Sequence, residues 1–135
     1  MTGTIPETKT AVELVKAARA QIENISPKQA FEEISTGRAV VVDIREPVEW
    51  EHHIEGALEV PRGLLEFAAD PTSPRHVAEL DPHRRTIVYC RSGVRAALAG
   101  ATLKTLGYED VANIDGGFTA WKEEGLPTDE HHSDL

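Results

Sequence analysis

Thr86-Ile87-Val88-Tyr89-Cys90-Arg91-Ser92-Gly93-Val94-Arg95-Ala96-Ala97-Leu98-Ala99 contains the one cysteine of the 135-residue chain. The apolar run before Cys90 reads as a strand, and the alanine-rich run from Val94 to Leu106 reads as a helix. The thiol therefore sits on a strand-to-helix turn. There the first helical N-H groups lack an internal acceptor and the macrodipole supplies partial positive charge. Arg91 and Arg95 add fixed charge, which favours a thiolate. A lone cysteine is commonly a small buried apolar residue. Ser92-Gly93, which lets the backbone curl, and two guanidinium groups on one loop favour a nucleophile in an anion-binding cradle instead.

Working outward, Ala39-Val40-Val41-Val42-Asp43-Ile44 is continuously apolar up to Asp43, as a strand buried on both faces of a parallel sheet should be. Ala57-Leu58-Glu59-Val60 and Val111-Ala112-Asn113-Ile114 are further strand candidates. Helices are expected at Thr10 to Asn24, opened by a Thr10/Glu13 capping box, and from Pro27, capped by Ser26, to a stop at Gly37. Shorter ones are expected at Arg45 to Glu51, Gly63 to Phe67 and Phe118 to Glu124. Alternating strands and helices predict an α/β fold with an open, mostly parallel sheet flanked by helices. Ligands of such sheets bind beyond the carboxyl ends of the strands. Asp43, Arg45, Arg62, Cys90 and Asp115 all follow strands and are expected on that rim. Asp43 and Arg45 read as a buried structural pair, because a lone buried charge is costly.

The formal net charge of -9 disfavours nucleic acid and anionic membrane as partners. It also means that the loop arginines must attract an anion against a repulsive global field. One cysteine allows no internal disulfide, and no stretch has a leader's or a membrane span's pattern, so a cytoplasmic setting is expected. His52 and His53 are neighbours and do not form a metal-ligand pattern; the tail pair His131-His132 is assigned no role.

Four motifs in order resemble the rhodanese-like domain family of sulfurtransferases over about residues 27 to 128. They are Val42-Asp43-Ile44-Arg45 with Glu46-Pro47-Val48-Glu49-Trp50; His53-Ile54-Glu55-Gly56-Ala57 leading to Val60-Pro61; Tyr89 to Ala96; and Asp115-Gly116-Gly117-Phe118-Thr119-Ala120-Trp121. The resemblance divides the chain into a lead and accessory helix over 1–26, the domain over 27–128, and a polar tail over 129–135. It implies a persulfide enzyme without metal or cofactor. Cys90 would take a sulfane sulfur from a small anion such as thiosulfate and pass it to cyanide, a thiol or a protein acceptor. The loop amides and side chains from Arg91 through Ser92, Gly93 and Val94 to Arg95 would bind the substrate. Arg62 and Trp121 are possible pocket residues, and Asp43, Arg45 and Asp115 are structural. The alternatives are a sulfur-carrying or regulatory module that binds a protein partner without turnover and, because Arg95 rather than residue 96 closes the loop, as a minor reading, a cysteine phosphatase or arsenate reductase. The first helix lies outside the resemblance and is expected to pack on the sheet, cover the pocket or mediate dimerisation.

Overall fold

The computed structural model describes residues 8–130. The elements are α1 (Ala11–Ala20), β1 (Glu23–Ile25), α2 (Pro27–Ser35), β2 (Val40–Asp43), β3 (His52–Ile54), β4 (Leu58–Glu59), α3 (Leu65–Ala69), β5 (Thr86–Tyr89), α4 (Val94–Thr105), β6 (Val111–Ile114), α5 (Gly117–Glu123) and β7 (Thr128–Glu130). Five of the strands form one parallel sheet in the order β1-β6-β5-β2-β4.

Alternation along the inner strands separates two cores, as the period of two requires. Val40, Val42, Ile44, Val88 and Cys90 face one layer with Leu65, Ala96, Ala99 and Leu103. Val41, Ile87, Tyr89 and Ile114 face the other with Ala30, Phe118 and Trp121. Helices α3 and α4 thus cover one face, and α2 and α5 the other. The expected caps form: the Glu13 N-H donates to Thr10 Oγ1, and the Gln29 N-H donates to Ser26 Oγ.

Three segments differ from the sequence expectation. The first helix ends at Ala20 rather than Asn24, because residues 23–25 pair with β6 as the edge strand of the main sheet. Asn24 Nδ2 donates to the Arg19 carbonyl, an acceptor that the helix end leaves open, and to the Ile22 carbonyl beyond it. Helix α1 packs along α4, where Ile22 Cδ1 would lie 2.7 Å from a Cβ added at Gly100. The expected helix over Arg45 to Glu51 is only a 3-10 turn at Pro47–Glu49, and His52 and His53 are on a strand. Asp129 and Glu130 of the supposed polar tail join Thr128 in β7, antiparallel to β3, which supplies the ladder that polar composition does not reveal. His131 and His132 lie outside the described residues.

At the amino ends of the strands, Arg85 holds Glu33, Glu23 and Asp110 together at 2.6, 2.7 and 2.6 Å. This ties α2, β1 and the start of β6 to β5, at the end of the sheet away from Cys90.

Candidate active site

Cys90 directly follows β5, the middle strand, so its loop is fixed by the most constrained element of the sheet. The side chain is only 1% exposed and belongs to the α3/α4 core. Burial alone would suit an inert thiol. The loop geometry indicates otherwise: the Gly93 N-H donates to Sγ at 3.1 Å and the Ala96 N-H at 3.4 Å. The N-H groups of Arg91, Ser92, Val94 and Arg95 meet no acceptor among the described residues. A ring of amides around a sulfur can accept an anion without moving a charged side chain.

Gly93 makes the curl possible. Its φ of +98° lies in the left-handed region, where a Cβ is unfavourable. Asn113 of β6 and the residues that open α5 hold the loop from the side. Asn113, fully buried, donates through Nδ2 to the Gly93 carbonyl at 3.2 Å and to Asn24 Oδ1 at 3.3 Å. The Phe118 N-H donates to the Cys90 carbonyl at 2.8 Å and the Thr119 N-H to the Arg91 carbonyl at 3.1 Å. That approach requires Gly117: a Cβ there would stand 2.6 Å from Cys90 O and 2.7 Å from Arg91 O. Gly117→Ala is therefore expected to displace the loop and lower kcat/KM about a hundredfold. Steady-state rates beside a thermal melt check this, and an unchanged rate would show that α5 does not position the cysteine.

The loop arginines are not equivalent. Arg91 is exposed and its guanidinium makes no hydrogen bond or ion pair among the described residues. Arg95 is clamped by Glu49, with Nη1 to Oε1 at 2.8 Å and Nη2 to Oε2 at 3.0 Å. The Glu46 N-H donates to Glu49 Oε1 at 3.0 Å and fixes the carboxylate from behind. The Arg95 guanidinium, against the cost of burial, holds the Glu49 carboxyl down to about 2. Its partner raises Arg95 in turn.

Beneath the loop lies the expected Asp43–Arg45 pair. Arg45 Nη2 meets Asp43 Oδ2 at 2.8 Å, with both side chains at or below 5% exposure. The Tyr89 hydroxyl donates to Asp43 Oδ2 at 2.8 Å and accepts the Ile54 N-H at 3.0 Å. Burial, together with the Asp43 carboxylate, pushes that hydroxyl far above its ordinary range. Arg45 also donates to the His52 carbonyl at 2.7 Å and lies 4.5 Å from the Phe118 ring centre. The pair thus joins β2, β3, β5 and α5.

The remaining candidates lie elsewhere. Arg62 is held by Glu66 at 2.9 Å and donates to Thr102 Oγ1, eight residues into α4, about 12 Å of helix rise from the loop. Trp121 is buried in the opposite core, donating Nε1 to the Pro127 carbonyl and meeting Phe31 edge to face. It packs behind the sheet and does not wall the sulfur. Asp115 reaches the rim but pairs with Arg19 of α1 at 2.9 Å. His53 donates from Nδ1 to the Trp50 carbonyl at 3.1 Å. Sequence reasoning assigned no role to Glu49, Asn113 or Gly117. The Glu-Pro-Val-Glu and Gly-Gly pairs were their only signals.

The Rhodanese-like domain family profile matches residues 26–124. The chain is 34% identical over 113 residues to the "Probable adenylyltransferase/sulfurtransferase MoeZ" of Mycobacterium tuberculosis, a match covering 82% of this chain and 27% of that protein. It thus spans about a quarter of the length of that relative. It is 38% identical over 93 residues to a "Sulfurtransferase" of Allochromatium vinosum, covering 68% and 79% of the two chains. A Rhodopseudomonas palustris structure described as a "Possible Tyrosine Phosphatase" superposes with a TM-score of 0.83 at 34% identity, covering 96% of this chain and 99% of the other. No helix among the described residues is long and apolar enough to cross a membrane. Four ordered motifs, a parallel sheet ending in the cysteine loop and the family match agree: the chain belongs to the rhodanese-like domain family, whose members include sulfurtransferases.

Proposed function

We propose that the protein is a sulfurtransferase that carries a sulfane sulfur on Cys90. The observation that supports it most is the pair of N-H groups aimed at a sulfur that packing would otherwise leave without polar company. The Cys90 thiolate attacks the outer sulfur of a donor such as thiosulfate, the S–S bond breaks, and sulfite leaves with the bonding electron pair. The terminal sulfur of the persulfide then lies among the unengaged amides of Arg91, Ser92, Val94 and Arg95, with Arg91 as the exposed cation. A thiol, cyanide or protein acceptor attacks that sulfur and releases the Cys90 thiolate. The reading places this chemistry in the cytoplasm, on a chain of net charge -9 with no disulfide to maintain.

Incubation with thiosulfate followed by intact mass measurement is expected to show one added sulfur atom, mapped to Cys90. No gain with several sulfane donors would remove the proposal. Full loading with negligible turnover would replace it by a carrier module acting with a protein partner. Hydrolysis of an aryl phosphate, lost in Cys90→Ser, would replace it by the phosphatase reading.

A further inference from the structure

Two positive charges flank Cys90 in the sequence, but the structure leaves only one of them unopposed. Both terminal nitrogens of Arg95, the donors that would hold two oxygens of a sulfonate, are spent on the Glu49 carboxylate. The carboxylate cannot readily swing aside, because the Glu46 N-H holds it within the 3-10 turn after β2. Glu49 also stays ionised at any pH near neutrality. The charged groups about the loop are therefore Arg91, a mutually neutralised Arg95–Glu49 couple, and Glu46, whose carboxylate adds negative charge acting on Arg95. Thiosulfate carries two negative charges and is repelled twice as strongly as a monoanion by the same carboxylate and the same acidic protein surface. A hydropersulfide, R–S–S–H, carries one charge or none at its reacting end and has no sulfonate oxygens to place.

We infer that Glu49 sets donor selectivity, turning the Cys90 site away from dianionic thiosulfate and toward hydropersulfide donors. This rests on the sulfurtransferase reading above. In the favoured step the Cys90 thiolate attacks the outer sulfur of R–S–S–H. The donor S–S bond breaks as the new one forms, the thiolate R–S⁻ leaves with the bonding electrons, and the proton stays on the transferred sulfur as Cys90–S–S–H. No oxidant or reductant is consumed. Glu49 acts through Arg95 and is a positioning residue.

The test is the second-order rate of Cys90 loading by thiosulfate and by 2-hydroxyethyl hydropersulfide, each resolved into a maximal rate and a half-saturating concentration. Removing the carboxylate in Glu49→Gln is expected to improve thiosulfate loading about five- to tenfold, through half-saturation rather than maximal rate. Loading by the uncharged-tail hydropersulfide should change less than about twofold. Glu49→Asp, which restores the charge, should restore the wild-type donor ratio. Glu49→Gln combined with Arg95→Gln, which removes the couple without changing net charge, should keep that ratio as well. Equal gains for both donors, or parallel losses, would overturn the inference and leave Glu49 as a brace for Arg95. If neither donor loads the wild-type protein, the sulfurtransferase reading falls and the selectivity with it.

Discussion

Cys90→Ala is expected to reduce sulfur transfer by at least about a thousandfold while leaving a folded protein. The chain holds no second cysteine that could take over the nucleophile's place. The amides of the loop stay where Gly93, Asn113 and Gly117 put them, so donor binding survives while the covalent step does not. Stability should change little. The thiol is enclosed between Val88, Ala96 and the α3/α4 layer, and deleting one sulfur atom there costs about 1 kcal/mol in lost packing. It also removes the acceptor of two N-H groups that water can reach only poorly. Turnover of a sulfane donor and a thermal melt, run on the same preparation, separate the two effects. Residual transfer within tenfold of wild type would mean that the donor sulfur passes directly to the acceptor.

Asp43→Ala should have the largest effect on stability. It strips the carboxylate from a guanidinium that is 4% exposed and from a tyrosine hydroxyl that is fully enclosed. Breaking one side of a buried pair leaves an uncompensated charge and costs about 3–5 kcal/mol. For a domain of this size that corresponds to a fall in Tm of about 10–20 °C. The double replacement Asp43→Leu with Arg45→Met removes both charges and should recover much of the loss, because the desolvation of the pair is removed together with its attraction. A thermal melt of the three proteins checks this. Equal destabilisation by the single and double variants would show that the hydrogen bonds to Tyr89 and His52, not the ion pair, hold β2, β3 and β5 together.

The sheet and the cysteine turn were legible because their signals are local. A run such as Val40-Val41-Val42 needs two apolar faces, and Ser92-Gly93 after a strand needs a turn. Asp43 and Arg45 were legible as a pair for a general reason: charge cannot stay alone in a core. Strands β1 and β7 were not legible. Each is three residues long and draws its stability from a partner strand far away in sequence, Glu23 pairing with Ala112 and Thr128 with Ile54. Asn24 prolongs an apparent helical pattern while its backbone pairs with Asn113. The charge state of the loop was hidden for the same reason. Arg95 read as a free cation until Glu49, forty-six residues earlier, was found folded against it. Trp121 likewise follows the Gly-Gly turn in sequence, but the helix rotates it behind the sheet, into the layer of Phe31 and Tyr89.

The placement of β1 bears on where the protein can be cut. The family match begins at Ser26, one residue after the strand that closes the sheet beside β6. A fragment trimmed to that match would present the bare hydrogen-bonding edge of β6 to solvent, and with it Ile22's contact on α4 would be lost. An uncovered parallel edge of this kind invites pairing between molecules. Glu23, Asn24 and Ile25 therefore cover an edge that would otherwise be open, and a fragment meant to stay monomeric is expected to need a start before Glu23.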